Sequence, residues 1–542
     1  MGQLSGLDWG VIVLYFGLVF GVAVWAALTN RKQGDNSAGY FLASRNVGWF
    51  VIGASMFASN IGSEHLVGLA GAGASTGVVL GQFEVQASLA ILVLGWLFVP
   101  FYVKSGVFTM PEFLERRYSP TARWYLAVVS IISYVLTKIS VTIYAGGVVF
   151  TALMGIEFWT GAIIVVLATG VYTVFGGLRA VLYTDMFQAL VLIGGSVAVT
   201  AIGLNEAGGW TTLCREAGPN MMSMWKPFND PDFPWTAILL GAPILGLWYW
   251  CTDQFIVQRV LSAKSQEEAR RGSIFAGFLK QLPLFIFVVP GLIAFVLAQR
   301  GAIVLERADE ALPVLIARLL PTGVRGLVVA GLLAALMSSL SSVFNSCSTL
   351  ITWDVYRKLR PGASEHHLVV VGQVSTVILV VLGLAWIPFM RYISGELYTY
   401  LQSVQSYIAP PITAVFLLGV FWKRVNAHGA LAALFTGFIL GMGRLVAELL
   451  RDNLNGWLYT FATIHFLHFA LFLFLLCCGI LVIVSLLTRP APDSQLDGLT
   501  FATARGAGHK EAKGTRISLA FTLVLLGIVC LVWLYFSPMN PF

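Results

Sequence analysis

The chain has 542 residues, of which 58% are hydrophobic and only 11% charged, and its net charge is +7. A soluble fold of this length cannot hide that much apolar surface, so the composition excludes a soluble enzyme and makes the bilayer the solvent for most of the chain. The basic balance invites a nucleic-acid partner, but its distribution along the chain, given below, excludes one.

A membrane-crossing helix needs about 20 apolar residues. Fourteen such stretches occur, at 8–28, 47–75, 78–102, 125–153, 159–176, 182–204, 235–255, 273–299, 326–353, 367–390, 397–421, 427–449, 461–487 and 517–536. A lipid-facing segment must satisfy its own backbone, so these are helices, and the alternating ten-residue pattern of a membrane barrel is absent. The predicted fold class is an all-α membrane protein. With the first end outside, the inner loops hold 22 Lys and Arg, Arg259 and Arg270 among them, and the outer loops 8; Lys138, Lys280 and Arg444 lie inside spans. This asymmetry is the positive-inside rule, and it places both ends outside. Cys214 is in a loop, while Cys251, Cys347, Cys477, Cys478 and Cys530 lie in apolar spans and act as small hydrophobes. The first span lacks the basic opening of a cleavable signal and is expected to stay. No Asn-x-Ser/Thr sequon occurs, which fits a bacterial inner membrane.

The second span is interrupted by Ala58-Ser59-Asn60-Ile61-Gly62-Ser63-Glu64-His65. The third carries a single acid, Glu84, next to Phe83 and close to Gln82 and Gln86. The sixth opens with Tyr183-Thr184-Asp185, and an ionisable group at membrane depth is a functional candidate by default, here an ion ligand or a wetted interfacial acid. The seventh begins with Gly241, Pro243 and Gly246, passes through Trp248, Tyr249 and Trp250, and turns polar at Thr252-Asp253-Gln254. Lys280 is the only base of the eighth span. The ninth holds Ala335, Ser338, Ser339, Ser341, Ser342, Asn345 and Ser346, so that 338, 341, 342 and 345 share one helical face and 335, 338, 339 and 342 the next.

The two interrupted spans each open a block of five helices, 47–204 and 235–421. Matching broken helices in two halves point to a transporter site at mid-membrane, and an odd number of helices per block makes the halves inverted in topology. Glycine-mediated packing is the plainer reading of the same residues. The serine cluster, with carbonyls freed near Ala58 and Ile61, supplies the oxygen ligands a hard cation needs. Asn60, His65, Glu84, Lys280 and Gln402, with the aromatics at 248–250, supply groups suited to a polyol; Glu84 and Lys280 alone also read as a buried structural pair. Residues 1–46 form an extra helix and loop, 205–234 an outer loop, and 422–542 three further helices, the last reached through 488–516, which reads as a mobile tether.

Ala58-Ser59-Asn60-Ile61-Gly62-Ser63, Trp248-Tyr249-Trp250-Cys251-Thr252-Asp253-Gln254, Met337-Ser338-Ser339-Leu340-Ser341-Ser342 and Phe421-Trp422-Lys423-Arg424-Val425-Asn426 resemble the sodium/glucose cotransporter branch of the sodium:solute symporter family. The resemblance runs from Gly53 to about Leu487. It implies 14 transmembrane helices with a five-plus-five inverted-repeat core, one helix before it and three after. It implies a first sodium site at Ala58, Ile61, Ala335, Ser338 and Ser339, and a second at Asp185, Ser338, Ser341 and Ser342. It implies a sugar pocket of Asn60, His65, Glu84, Tyr249, Trp250, Lys280 and Gln402, gated by Phe83 outside and Tyr249 inside. Gly246 and Thr142 depart from the polar residues usual there, Thr or Asn and Asp or Asn, which bears on sugar preference. The implied function is sodium-coupled uptake of glucose or galactose by a monomer in a lipid bilayer, with two sodium ions per sugar. The competing expectations are another solute such as myo-inositol on the same fold, and a sugar-gated sensor or channel. No metal-ligand motif or nucleophile elbow supports a membrane enzyme.

Overall fold

The structure is a computed structural model and describes residues 4–32, 42–62, 64–230, 232–390, 397–504 and 512–540. Among these residues it is helical throughout, with two isolated bridges in place of any sheet. Among the described residues, eleven helices are long and apolar enough to cross a membrane, and Gly6–Val22 and Phe158–Val171 are shorter apolar helices. The expected span at 47–75 is absent from both groups because it is cut in two, as a broken helix must be.

Nine helices carry the description: α1 (Gly6–Lys32), α2 (Trp49–Asn60), α3 (Gly81–Val93), α4 (Phe158–Glu206), α5 (Gln254–Leu261), α6 (Gln266–Leu279), α7 (Val324–Thr349), α8 (Leu397–Phe421) and α9 (Ala512–Tyr535). Local chemistry sets where the chain turns. Ser119 caps the helix that begins at Pro120, Ser265 caps α6 and Asn426 caps the helix Ala427–Leu449, each side chain accepting from a backbone N–H in the first turn. Gly106 and Gly155 end their helices at positive φ, where a Cβ is penalised.

At the centre lies α7, buried at every residue from Val328 to Thr349. α1, α2 and α4 pack around it. The Asp8 carboxylate of α1 accepts from the Gly323 and Gly326 amides at 2.8 and 2.9 Å and pairs with Arg325 at 2.7 Å. An acid at the positive end of α7 thus docks the extra helix on the core.

Two expectations are corrected. The stretch 488–504 is a packed element rather than a tether: Leu496 and Thr500 are buried, Gln495 donates to the carbonyls of Arg116 and Tyr118, and the Phe501 ring lies near those of Phe101 and Phe421. Of the rest of that expected tether, 505–511 falls outside the described residues, as does Arg391, and 512–516 opens α9. Arg259, expected in an inner loop, is only 1% exposed inside α5. The expected span stops at 255, but the break at Asp253 lies at depth, and a second half-helix continues behind it.

Candidate functional site

Both interrupted spans break where their polar motifs lie. α2 ends as the chain turns extended at Ile61 (φ −77°, ψ 101°), so its last carbonyls lose their i+4 donors. A widened helical turn, Glu64–Leu69, follows. A Cβ on Gly62 would stand 2.9 Å from Ser339 Oγ, so glycine is what allows the break to approach α7. The other span is helical to Thr252, turns extended at Asp253 (φ −77°, ψ 126°) and resumes as α5, with the Asp253 carboxylate capping its first turn at Phe255 N.

On one side of the first break is a closed polar circuit. Lys280 Nζ donates to Asn60 Oδ1 at 2.5 Å and to Glu84 Oε2. His65 Nε2 lies 3.1 Å from Glu84 Oε1, and Gly62 N donates to His65 Nδ1 at 3.5 Å, which assigns the proton to Nε2. Asn60 Nδ2 donates to the Tyr249 hydroxyl at 3.0 Å. All five residues are buried. Glu84 lies in the first turn of α3, where the helix dipole favours an anion. These groups line a cavity of about 290 Å³, together with Phe83, Trp250 and Gln402. Every residue expected at the sugar pocket is therefore on one cavity wall. Gly246 is also on that wall, with only Ala90 Cβ near its missing side chain, at 3.5 Å. Thr142 is buried elsewhere and does not line the cavity.

On the other side is an oxygen-rich cluster. Ser339 Oγ donates to the carbonyls of Ser59 and Ile61 at 3.0 and 3.2 Å, joining α7 to the break. Asp185 of α4 is fully buried rather than wetted. It accepts from Ser338 at 2.6 Å, Ser55 at 2.7 Å and Ser59 at 2.9 Å. Ser342 Oγ donates to Ser59 Oγ at 3.0 Å. Ala58, Ile61 and Ala335 are buried alongside. Ser341 alone turns away, its hydroxyl donating to the Ser338 carbonyl at 2.9 Å.

Sequence reasoning missed four contributors. Arg259 reaches into the serine cluster: Nε donates to Ser55 Oγ at 3.0 Å, Nη2 lies 3.4 Å from Asp185 Oδ2 and also donates to Ser342 Oγ, and Nη1 donates to the Phe255 carbonyl. Lys138 Nζ stands 4.1 Å from the ring centroids of both Tyr249 and Phe255. Trp533 of α9 lines the cavity and donates to Gln82 Oε1 at 2.7 Å, a role no local pattern signals in a residue 451 positions downstream. Gln405 also lines it, and its i+3 spacing from Gln402 was a usable signal.

The model of the sodium:solute symporter family matches residues 40–437. The chain belongs to that family. It is 40% identical to sodium/glucose cotransporter 1 of Oryctolagus cuniculus over 534 residues, 91% of this chain and 80% of the relative. It is 40% identical to sodium/glucose cotransporter 4 of Mus musculus (95% and 80% covered) and 38% identical to the sodium/myo-inositol cotransporter of Canis lupus familiaris (94% and 77%). Its fold matches that of a sodium-coupled sialic acid symporter in a substrate-bound outward-open state, with a TM-score of 0.77 at 21% identity, covering 90% of this chain and 99% of that one. A nucleobase-cation symporter matches with a TM-score of 0.54 at 14% identity, covering 85% and 97%. This symporter is thus an integral membrane protein, and its relatives and structural neighbours are transporters, not enzymes.

Proposed function

We propose that the protein is a secondary active symporter that couples inward sodium flux to uptake of a hexose, glucose and/or galactose, by alternating access, with two sodium ions per sugar. The observation that carries this reading is the circuit Asn60–Lys280–Glu84–His65 on the cavity wall, beside the break whose carbonyls face Ser339. Glu84 and Lys280 cancel in charge and Glu64 adds a further carboxylate to the lining, so the wall offers many donors and acceptors and disfavours an anion, as suits a neutral polyol. A cavity near 290 Å³ is at the small end of ligand sites, which run to about 1,000 Å³, and suits a solute of monosaccharide size.

In this reading Asn60, His65, Glu84, Lys280 and Gln402 bind sugar hydroxyls, and Trp250 and Tyr249 cover the ring. Phe83 closes the outer side and Tyr249 the inner. Ala58, Ile61 and Ala335 carbonyls with Ser338 and Ser339 form the first sodium site; Asp185, Ser338, Ser341 and Ser342 form the second. A serine whose proton is donated to a carbonyl still presents lone pairs, so Ser341 keeps its ligand capacity. The repeats are 47–204 and 235–421, among fourteen crossings with both ends outside, and the monomer carries the transport path. The expected bacterial membrane rests only on the missing sequons, and the animal origin of the relatives gives it no support.

The two-ion stoichiometry sets the power of the machine. A tenfold sodium gradient supplies about 1.4 kcal/mol per ion, and 100 mV adds about 2.3 kcal/mol per charge. Two ions thus offer roughly 7.4 kcal/mol, a sugar gradient on the order of 10⁵-fold. The test is uptake of labelled glucose, galactose and myo-inositol by proteoliposomes with and without a sodium gradient. Myo-inositol is included because of the relative that carries its name. Sodium-driven accumulation of a hexose is expected; equilibration without accumulation would mean a channel or sensor, and preference for myo-inositol would reassign the solute.

A further inference from the structure

The position expected for a second sodium ion holds a cation belonging to the protein. Arg259 is 1% exposed, and its guanidinium touches Ser55, Ser342 and the Asp185 carboxylate. A buried carboxylate needs a counter-charge whether or not sodium is bound. With sodium present as well, two positive charges would face one negative charge in a dry site, so one must leave.

A destination exists. The Asp253 carboxylate is 3% exposed; Oδ1 caps Phe255 N, while Oδ2 is buried without a hydrogen-bond partner. Asp253 caps the helix that carries Arg259, six residues before it and on the side toward which a helical side chain leans. Arg259 is already turned that way, since Nη1 donates to the Phe255 carbonyl.

We propose that Arg259 is a tethered cation with two stations: it occupies the Asp185 site when that site lacks sodium, and sodium entry moves it to Asp253. The proposal rests on the reading of Asp185 as an ion ligand. It also supplies a path from ion to gate. Arg259 and Tyr249 flank the same break, and Phe255 touches both: its ring is 6.2 Å from Tyr249 and 5.3 Å from the guanidinium carbon. Displacing Arg259 therefore works directly on the half-helix that meets the inner aromatic.

The test is equilibrium binding of ²²Na⁺ to the purified full-length protein without sugar. A ligand's apparent affinity is reduced by the fraction of protein in which its site is free. If Arg259 holds the site about nine-tenths of the time, Arg259→Gln lowers the half-saturating sodium of the weaker component about tenfold. Asp253→Asn keeps the cap, because asparagine caps as well as aspartate, but removes the second station, so half-saturation rises severalfold. Opposite shifts are the expected result. A merely structural pair would weaken binding in both variants, and that outcome, or no change in Arg259→Gln, overturns the proposal. If Arg259→Gln does not fold, wild-type structures in sodium and in choline decide: a guanidinium still beside Asp185 in saturating sodium overturns it. No sodium binding by the wild type would overturn sodium coupling itself, and the exchange with it.

Discussion

Two acid–base pairs sit at membrane depth in this symporter, and they differ in what surrounds them. Glu84–Lys280 faces a cavity and shares its bonds with the neutral partners Asn60 and His65. Asp185–Arg259 is packed among serines from α2 and α7, none of which lines that cavity. The bases suit their settings. Lysine is a compact charge on a flexible stem and can follow a hydroxyl; arginine is a rigid fork that fills several acceptors at once. The first pair is built for a solute to join, the second for one cation to be replaced by another.

The largest effect should come from breaking the open pair. Glu84→Ala leaves Lys280, 1% exposed, as an uncompensated charge, and loss of one partner from a buried pair costs about 3–5 kcal/mol. Sugar affinity at saturating sodium should fall by more than a hundredfold, measured by binding to purified protein. Gln402→Ala removes a neutral cavity group and should cost about 1–3 kcal/mol in the same assay. Unchanged affinity in both variants would take these residues out of the pocket.

Breaking the closed pair should leave the sugar site and remove an ion. Asp185→Asn keeps a hydrogen-bonding side chain but no charge to hold sodium against Arg259. The Hill slope for sodium should fall from two to one. The driving energy should halve to about 3.7 kcal/mol, a sugar gradient of a few hundredfold. An unchanged reversal potential would show that Asp185 binds no transported ion.

The contrast also explains what the sequence could reveal. The breaks at Ile61 and Asp253 were legible because Ser, Asn, Glu, His and Asp have no place in a lipid-facing helix. The serines of α7 were legible from their spacing. Arg259 was not: hydropathy ends a span at its first polar run, and Gln254-Phe255-Ile256-Val257-Gln258-Arg259 reads as a loop only until the break is known to lie at depth. Trp533 was invisible for another reason, since nothing in α9 reveals which outer helix it will meet.

A third expectation separates lysine as a charge from lysine as a donor. Glucose and galactose differ in the orientation of one hydroxyl, and a flexible ammonium with three donors can reach either. Both sugars should be carried. Lys280→Gln, with two donors in a fixed plane, should weaken galactose more than glucose, by about 1 kcal/mol in the ratio of apparent affinities. Equal losses would give Lys280 only its structural pairing with Glu84.

The smallest effect tests the residue that stands apart from its cluster. Ser341 is fully buried, and its proton goes to the Ser338 carbonyl at 2.9 Å, whereas Ser338 gives its own to Asp185 at 2.6 Å. If Ser341 is only a helix-packing hydroxyl, replacing it with alanine trades a neutral hydrogen bond of about 0.5–1.5 kcal/mol for better helix propensity. Sodium stoichiometry would then be unchanged. If its lone pairs complete the second ion shell, Ser341→Ala should raise the sodium concentration for half-maximal uptake by about two- to tenfold, and the reversal potential should move toward one ion per sugar. The second outcome is expected, because the serine shares a helical face with Ser338 and Ser342, both of which touch the Asp185 cluster. Folding and sugar affinity at saturating sodium should stay as in the wild type, which separates a lost ligand from a damaged core. A wild-type stoichiometry of one would remove the second site whatever the variant does.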